Sequence, residues 1–242
     1  MQNGVFCDRI VEMQARKDVA VNRLTNKRNN GMLPPREARW LLLAALMINL
    51  AVYWGATWLT VGRRHISMAL PLDARLPMVT PFILIYVLAY LQWVVSYWLV
   101  ALDEPGLYRR VLLGDIIAKL ATLAIFLLIP TTMQRPAATG GGLFNWLTQR
   151  IHDLDAPTRL FPSIHCLESW MACRAGFWMK RLPRWYRWGG LVMTLLVFAS
   201  TLLVKQHVLV DIPGGILTAE LGLGLSGRWL RKKEERKGKV CV

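Results

Sequence analysis

The sequence predicts an all-α fold: a six-helix transmembrane bundle with an active site at its extracytoplasmic face. Three observations predict it. The chain is 54% hydrophobic with a mean hydropathy of +0.32, yet its formal net charge is +15, a combination that soluble domains rarely show. It carries six apolar stretches of the length that crosses a bilayer as a helix. Lys and Arg crowd the connections on one side of those stretches, as the positive-inside rule requires.

Taken in order, residues 1–38 form a basic N-terminal segment. Ile10 to Leu24 reads equally as a short amphipathic surface helix and as a mobile basic tail. Asn26 to Gly31 and Pro34-Pro35 break any helix there. Residues 39–228 form the membrane domain, with spans near Trp40–Val61, Pro81–Leu102, Val111–Ile129, Pro162–Met179, Trp188–Val204 and Val208–Gly227. Only Lys205, Gln206 and His207 separate the last two, which predicts a tight turn. Residues 229–242 form a basic tail. Eleven Trp lie mostly near span ends, where interfacial anchors belong.

With six spans, the N-terminal segment, Arg109-Arg110, Lys180 to Arg187 and the tail fall on one side. That side is cytoplasmic by the positive-inside rule. The expected location is therefore the cell membrane, multi-pass, with both termini cytoplasmic. Connections 63–80, 130–161 and 205–207 then face outward. Arg63, Arg64 and Arg75 run against this assignment and are outnumbered. Charge spread over loops that flank apolar spans argues against nucleic acid as a partner and for anionic membrane lipids. The four cysteines show neither zinc spacing nor a disulfide framework; Cys166 and Cys173 read as small buried residues. No cleavable signal peptide is visible.

Chemistry concentrates in three places. Asp211 lies four residues after His207, so on a helix the two share a face and can hydrogen-bond. A carboxylate that takes one ring proton fixes the tautomer and frees the other nitrogen as a nucleophile or base. Pro162-Ser163-Ile164-His165 opens the fourth span, where Pro162 suits the first helical turn. Ser163 suits both a cap and an anion ligand. Arg135, ahead of Pro136, carries a guanidinium fork that matches phosphate oxygens. All three fall on the predicted outer face. His152 to Asp155 offers too few ligands for a metal, and Asp155 before Pro157 reads as a loop-shaping residue.

Other charges sit within the spans. Asp115 and Lys119 read as a structural pair near the inner interface. Glu168, one turn from His165, reads either as a partner of the site or as an interior polar residue. Glu220 is expected to pair with Arg174 or Lys119 inside the bundle, as a packing device.

Arg-Pro, then Pro-Ser-x-His, then Ser200-x6-His207-x3-Asp211 resembles the type 2 phosphatidic acid phosphatase superfamily, over residues 110–225. These are six-helix membrane enzymes that remove or transfer phosphoryl groups on lipids. The resemblance implies that His207 is the nucleophile that forms a phosphohistidine and that Asp211 orients it. It implies that His165 is the general acid and that Ser163 and Arg135 bind phosphate. It implies a lipid phosphate substrate and no metal or other cofactor. The chain departs from the family pattern twice: Leu128 stands where a lysine is usual, and Thr201 where an arginine is. Lys205, Arg159 and Arg150 are the candidates to replace those cations, although Lys205 would point away from the site on a regular helix. The wording Phe-Pro-Ser-Ile-His with Lys-Gln-His is closer to the inositol phosphorylceramide synthase-like branch, which also tends to lack the extra cations. Two functions follow from the resemblance: hydrolysis of a lipid phosphate or diphosphate, or transfer of a phosphoryl headgroup to a lipid or polyol alcohol. A transporter is the reading from another class, and such folds rarely need His-x3-Asp at a helix end.

Overall fold

The computed structural model describes residues 33–239, so Ile10 to Leu24 lies outside the described residues. Helix α1 (Arg36–Leu59) starts after Pro35. A short strand β1 (Ile66–Ser67) and a one-turn helix α2 (Pro71–Arg75) follow. A 3-10 turn (Thr80–Phe82) runs into α3 (Ile83–Ala101). Helix α4 (Pro105–Leu128) places its proline where the missing N–H costs nothing. Strand β2 (Thr131–Thr132) pairs in parallel with β1. The rest is α5 (Leu143–Leu154), α6 (Ile164–Trp178), α7 (Arg184–Leu203) and α8 (Asp211–Lys239).

Among the described residues, four helices are long and apolar enough to cross a membrane: α1, the continuous Thr80–Ala101 unit, α4 and α7. Their outward faces are apolar. On α1, Trp40, Leu43, Met47, Leu50 and Trp54 are exposed at three- and four-residue intervals, the spacing of one helix face. The expected fourth and sixth spans do not reach that measure. Helix α6 has 15 residues, about 22 Å at 1.5 Å per residue, and it carries His165, Glu168 and Arg174. Helix α8 carries Asp211 and Glu220 and continues into the basic tail. Both pack against the apolar set: Leu167 and Met171 of α6, Ala219 and Leu223 of α8 and Ala118 of α4 share one buried cluster. Helices α4 and α8 touch backbone to backbone, and a Cβ at Gly222 would run into the Gly114 carbonyl.

The polar residues are inside. Lys119 Nζ lies 2.8 Å from Asp115 Oδ2 and 2.7 Å from Glu168 Oε1. The Tyr97 hydroxyl sits between the remaining oxygens, 3.0 Å from Asp115 Oδ1 and 2.5 Å from Glu168 Oε2. The expected Asp115–Lys119 pair is thus half of a buried four-residue cluster, and Glu168 belongs to that cluster as an interior polar residue. Glu220 pairs with Arg174, Oε1 to Nε 2.8 Å, and Trp170 Nε1 donates to the same oxygen at 2.8 Å. The two side chains are 36% and 40% exposed. The pair therefore lies on the flank of the bundle and not, as expected, in its interior; Lys119, the other candidate partner, is held by Asp115 and Glu168.

One end of the bundle is built from three connections. Ile66 N donates to the Pro130 carbonyl, and Val79 N to that of Leu203. Lys205 Nζ donates to the carbonyls of Asp73 and Leu76, and Leu209 N to Asp73 Oδ1. These bonds draw the segments 60–82, 129–163 and 204–210 together. At the other end, Arg109 pairs with Glu37 at 2.6 Å.

Candidate active site

The chain leaves α7 by a tight turn. Val204 N donates to the Ser200 carbonyl, Gln206 N and His207 N both donate to that of Thr201, and Lys205 takes a left-handed φ of 58°. This is a Schellman-type closure. Because α8 starts only at Asp211, His207 sits in the turn and not on a helix. The expected i,i+4 contact forms all the same, by a different route. Asp211 Oδ2 accepts from His207 Nδ1 at 2.9 Å and from Val208 N at 3.0 Å. Asp211 is fully buried. A carboxylate in its ionised form only accepts, so this contact favours the imidazole tautomer that carries its proton on Nδ1 and leaves the Nε2 lone pair free.

Helix α6 starts at Ile164 with Ser163 as its cap, the hydroxyl accepting from Cys166 N at 3.2 Å. Pro162 therefore precedes the cap, one step outside the first turn where the sequence suggested it. Ser163 N donates to the Asp211 carbonyl. A Cβ at Gly215 would stand 2.7 Å from the Ser163 carbonyl oxygen, so only glycine permits this approach of α8 to the start of α6. The approach sets the two histidines side by side, ring centroids 6.0 Å apart. That spacing leaves room for a phosphorus within reach of both rings.

Helix α3 supplies surroundings that the sequence reading did not single out. Tyr86 stacks on the His165 ring at 4.3 Å, the Tyr90 hydroxyl lies 3.2 Å from His165 Nε2, and Trp93 meets the ring edge-on at 5.1 Å. Their spacing of i, i+4 and i+7 marks one helix face and is their trace in the sequence. Nothing in it says which face meets a histidine 75 residues away.

Both imidazoles open into a cavity of about 320 Å³. Asn49, Tyr53, Tyr86, Tyr90, Trp93, Phe126, Asp155 and Arg159 are among its other walls. Ser163 is fully buried at the cap and does not line the cavity. Arg135 does not line it either. Its guanidinium donates to the carbonyls of Asp155 (2.5 Å) and Gln206 (3.5 Å) behind the wall, and burial presses its pKa down. Of the three replacement cations, Lys205 is turned away toward Asp73 and Leu76. Arg150 is exposed, 3.9 Å from Asp153. Arg159 alone of the three lines the cavity. His152 faces the Val204 carbonyl at 2.8 Å, and burial holds its pKa below the ordinary imidazole value.

The arrangement joins a carboxylate-oriented imidazole to a second imidazole across a cavity of mixed aromatic and aliphatic lining, with the Arg159 guanidinium and the Asp155 carboxylate in its wall. Comparisons of the chain with protein-family models, with curated proteins and with solved structures return no match. The chemistry of the site therefore carries the functional reading.

Proposed function

We propose that the chain is a multi-pass membrane enzyme that hydrolyses a lipid phosphate or diphosphate through a phosphohistidine. In this reading α6 and α8 also cross the bilayer, sheltered by the four apolar helices, with the site at the extracytoplasmic end and both termini cytoplasmic. Among the described residues, Arg109 and Arg110 near the start of α4 and Lys180, Arg181, Arg184 and Arg187 around the connection from α6 to α7 lie at helix ends away from the site, which supports that orientation by the positive-inside rule.

His207 Nε2 attacks the terminal phosphorus, the bond from that phosphorus to the ester or bridging oxygen breaks, and its electron pair stays on that oxygen. His165 delivers the proton that makes the leaving group an alcohol, or a lipid monophosphate when the substrate is a diphosphate. In the second half His165 takes a proton from water, the oxygen attacks phosphorus, and the P–N electron pair returns to His207. Asp211 stabilises the imidazolium character that His207 gains at each transfer. No step asks for a metal.

One observation carries the reading: an imidazole oriented by a buried carboxylate faces a second imidazole at 6.0 Å over a shared cavity. The cavity, about 320 Å³, is at the small end for ligand sites. It accommodates a headgroup and leaves the hydrocarbon tail to the surrounding bilayer. Transfer of the phosphoryl group to an alcohol shares the first half-reaction and differs in the acceptor.

The deciding experiment incubates purified protein with a panel of lipid phosphates and diphosphates, with and without an alcohol acceptor. Released phosphate indicates hydrolysis, and a new phosphodiester or phosphomonoester indicates transfer. Rapid quenching should trap an acid-labile, base-stable phosphate on His207. Absence of both product and adduct across the panel would remove the proposal. Vanadate, which mimics the pentacoordinate phosphorus, should inhibit.

A further inference from the structure

We infer that Arg159 is the cation that grips the phosphoryl oxygens in this cavity, and that Arg135 is a positioning residue behind it; the inference rests on the proposed phosphoryl chemistry. Arg159 is 8% exposed, yet among the described residues no carboxylate stands within ion-pair distance of it. A buried guanidinium without a counter-ion is costly in an apolar setting, and an incoming anion removes that cost.

Its geometry is prepared for such an anion. The Nη1 group donates to the Tyr53 carbonyl at 2.8 Å and to the Thr57 hydroxyl. The Nε group donates to Thr158 Oγ1 at 3.2 Å. The guanidinium carbon lies 5.3 Å from the centre of the Tyr53 ring. Nη2 has no acceptor among the described residues, which leaves two N–H groups for a ligand in the cavity that Arg159 lines with both histidines. The backbone is specialised as well. Arg159 adopts a left-handed φ of 60°, unusual for a residue with a Cβ. It is held there by its N–H donating to the Thr131 carbonyl at 2.7 Å. Strained backbone of this kind persists where the surroundings over-determine it, often at ligand clamps.

Arg135 is placed differently. It spends its guanidinium on the carbonyls of Asp155 and Gln206. Gln206 precedes His207, and Asp155 Oδ1 accepts from the Tyr53 hydroxyl at 3.1 Å. Arg135 thus braces the histidine turn and the loop that carries Arg159. The planar fork of Arg159 would take two phosphoryl oxygens and supply positive charge that a chain with Leu128 and Thr201 at the usual cation positions otherwise lacks.

The test is a titration of detergent-solubilised full-length protein with orthovanadate, read as a ligand-dependent shift in melting temperature. It is run for wild type, Arg159→Gln, Arg159→Lys and Thr57→Val, with kcat and KM for a soluble phosphomonoester measured alongside. Vanadate should stabilise wild type. Arg159→Gln should weaken its binding about 10–100-fold, the worth of a charged hydrogen bond pair. Arg159→Lys should recover part of that, and Thr57→Val should fall between, since it frees the side chain without removing the charge. If Arg159→Gln does not fold, Lys and Val carry the comparison. Variants with a lower basal melting temperature but unchanged vanadate affinity would assign Arg159 a structural role and overturn the inference. A wild type that neither binds vanadate nor releases phosphate would overturn the phosphoryl reading itself, and this inference with it.

Discussion

His207 and Asp211 meet across a turn, Nδ1 to Oδ2 at 2.9 Å, although the helix that carries Asp211 begins only at that residue. The same carboxylate oxygen holds Val208 N at 3.0 Å. Asp211 therefore folds the turn and sets the tautomer of His207 with one group. Asp211→Asn keeps the shape but offers an amide that can donate to Nδ1 and so stabilise the wrong tautomer. Turnover should fall about 10²–10⁴-fold. Phosphate release by a variant with unchanged circular dichroism checks it.

The role of His165 is separable by leaving group. His165→Ala should lose roughly 10²–10⁴-fold with lipid alkoxide leaving groups and far less with a nitrophenyl phosphate, whose oxygen needs no proton to depart. Equal losses on both substrates would exclude an acid role.

Lys119 stands between two buried carboxylates. Lys119→Met leaves Asp115 and Glu168 facing each other with Tyr97 alone between them, and should cost about 3–5 kcal/mol. The combination Lys119→Met, Asp115→Asn, Glu168→Gln removes the charges together and should recover much of that loss, since burying a neutral amide costs far less than burying an unpaired carboxylate. Melting temperatures in detergent measure both. The cluster is not in the cavity wall, so the folded fraction should keep its turnover.

Acid should loosen the end of the bundle where the three connections meet. The folded-state pKa of His152 lies below its ordinary 6.5 because burial disfavours the imidazolium. Its contribution to stability is present above pH 6.5 and is lost as pH falls through the folded value, since the unfolded chain binds the proton more tightly. Melting temperature between pH 7.5 and pH 5 should drop more steeply for wild type than for His152→Gln. Parallel curves would show that His152 does not titrate in this window.

Much of the fold was legible because lipid-facing helices are written in long apolar runs. The four helices that meet the length and composition for crossing correspond to the first, second, third and fifth expected spans. The fourth and sixth were harder. Helix α6 is short and mostly buried among its neighbours, so it need not be apolar all round; α8 exposes Leu217, Leu221 and Leu225 along one face but is interrupted by Glu220 and runs on into the basic tail. The ends moved for local reasons: Ser163 caps α6 as expected, which leaves Pro162 outside the first turn, and a Schellman turn at Lys205 delays α8 until Asp211. Glu220 pairs with Arg174, one of its two expected partners, but on the flank of the bundle, while Asp115 and Glu168 occupy Lys119.

The sequence by itself determined the helical, membrane-suited character of the chain, the asymmetry of its charge and the four-residue spacing that lets Asp211 hold His207. Each is a property of neighbours along the chain or of summed composition. Only the tertiary structure decided that Tyr86, Tyr90 and Trp93 wall in His165, that Arg159 lines the cavity while Arg135 stands behind it, and that Glu168 turns to Lys119. Those choices depend on which helix faces meet. That in turn depends on backbone contacts such as Gly222 against Gly114 and Gly215 against Ser163. A single sequence records the glycines that allow such contacts but not their partners.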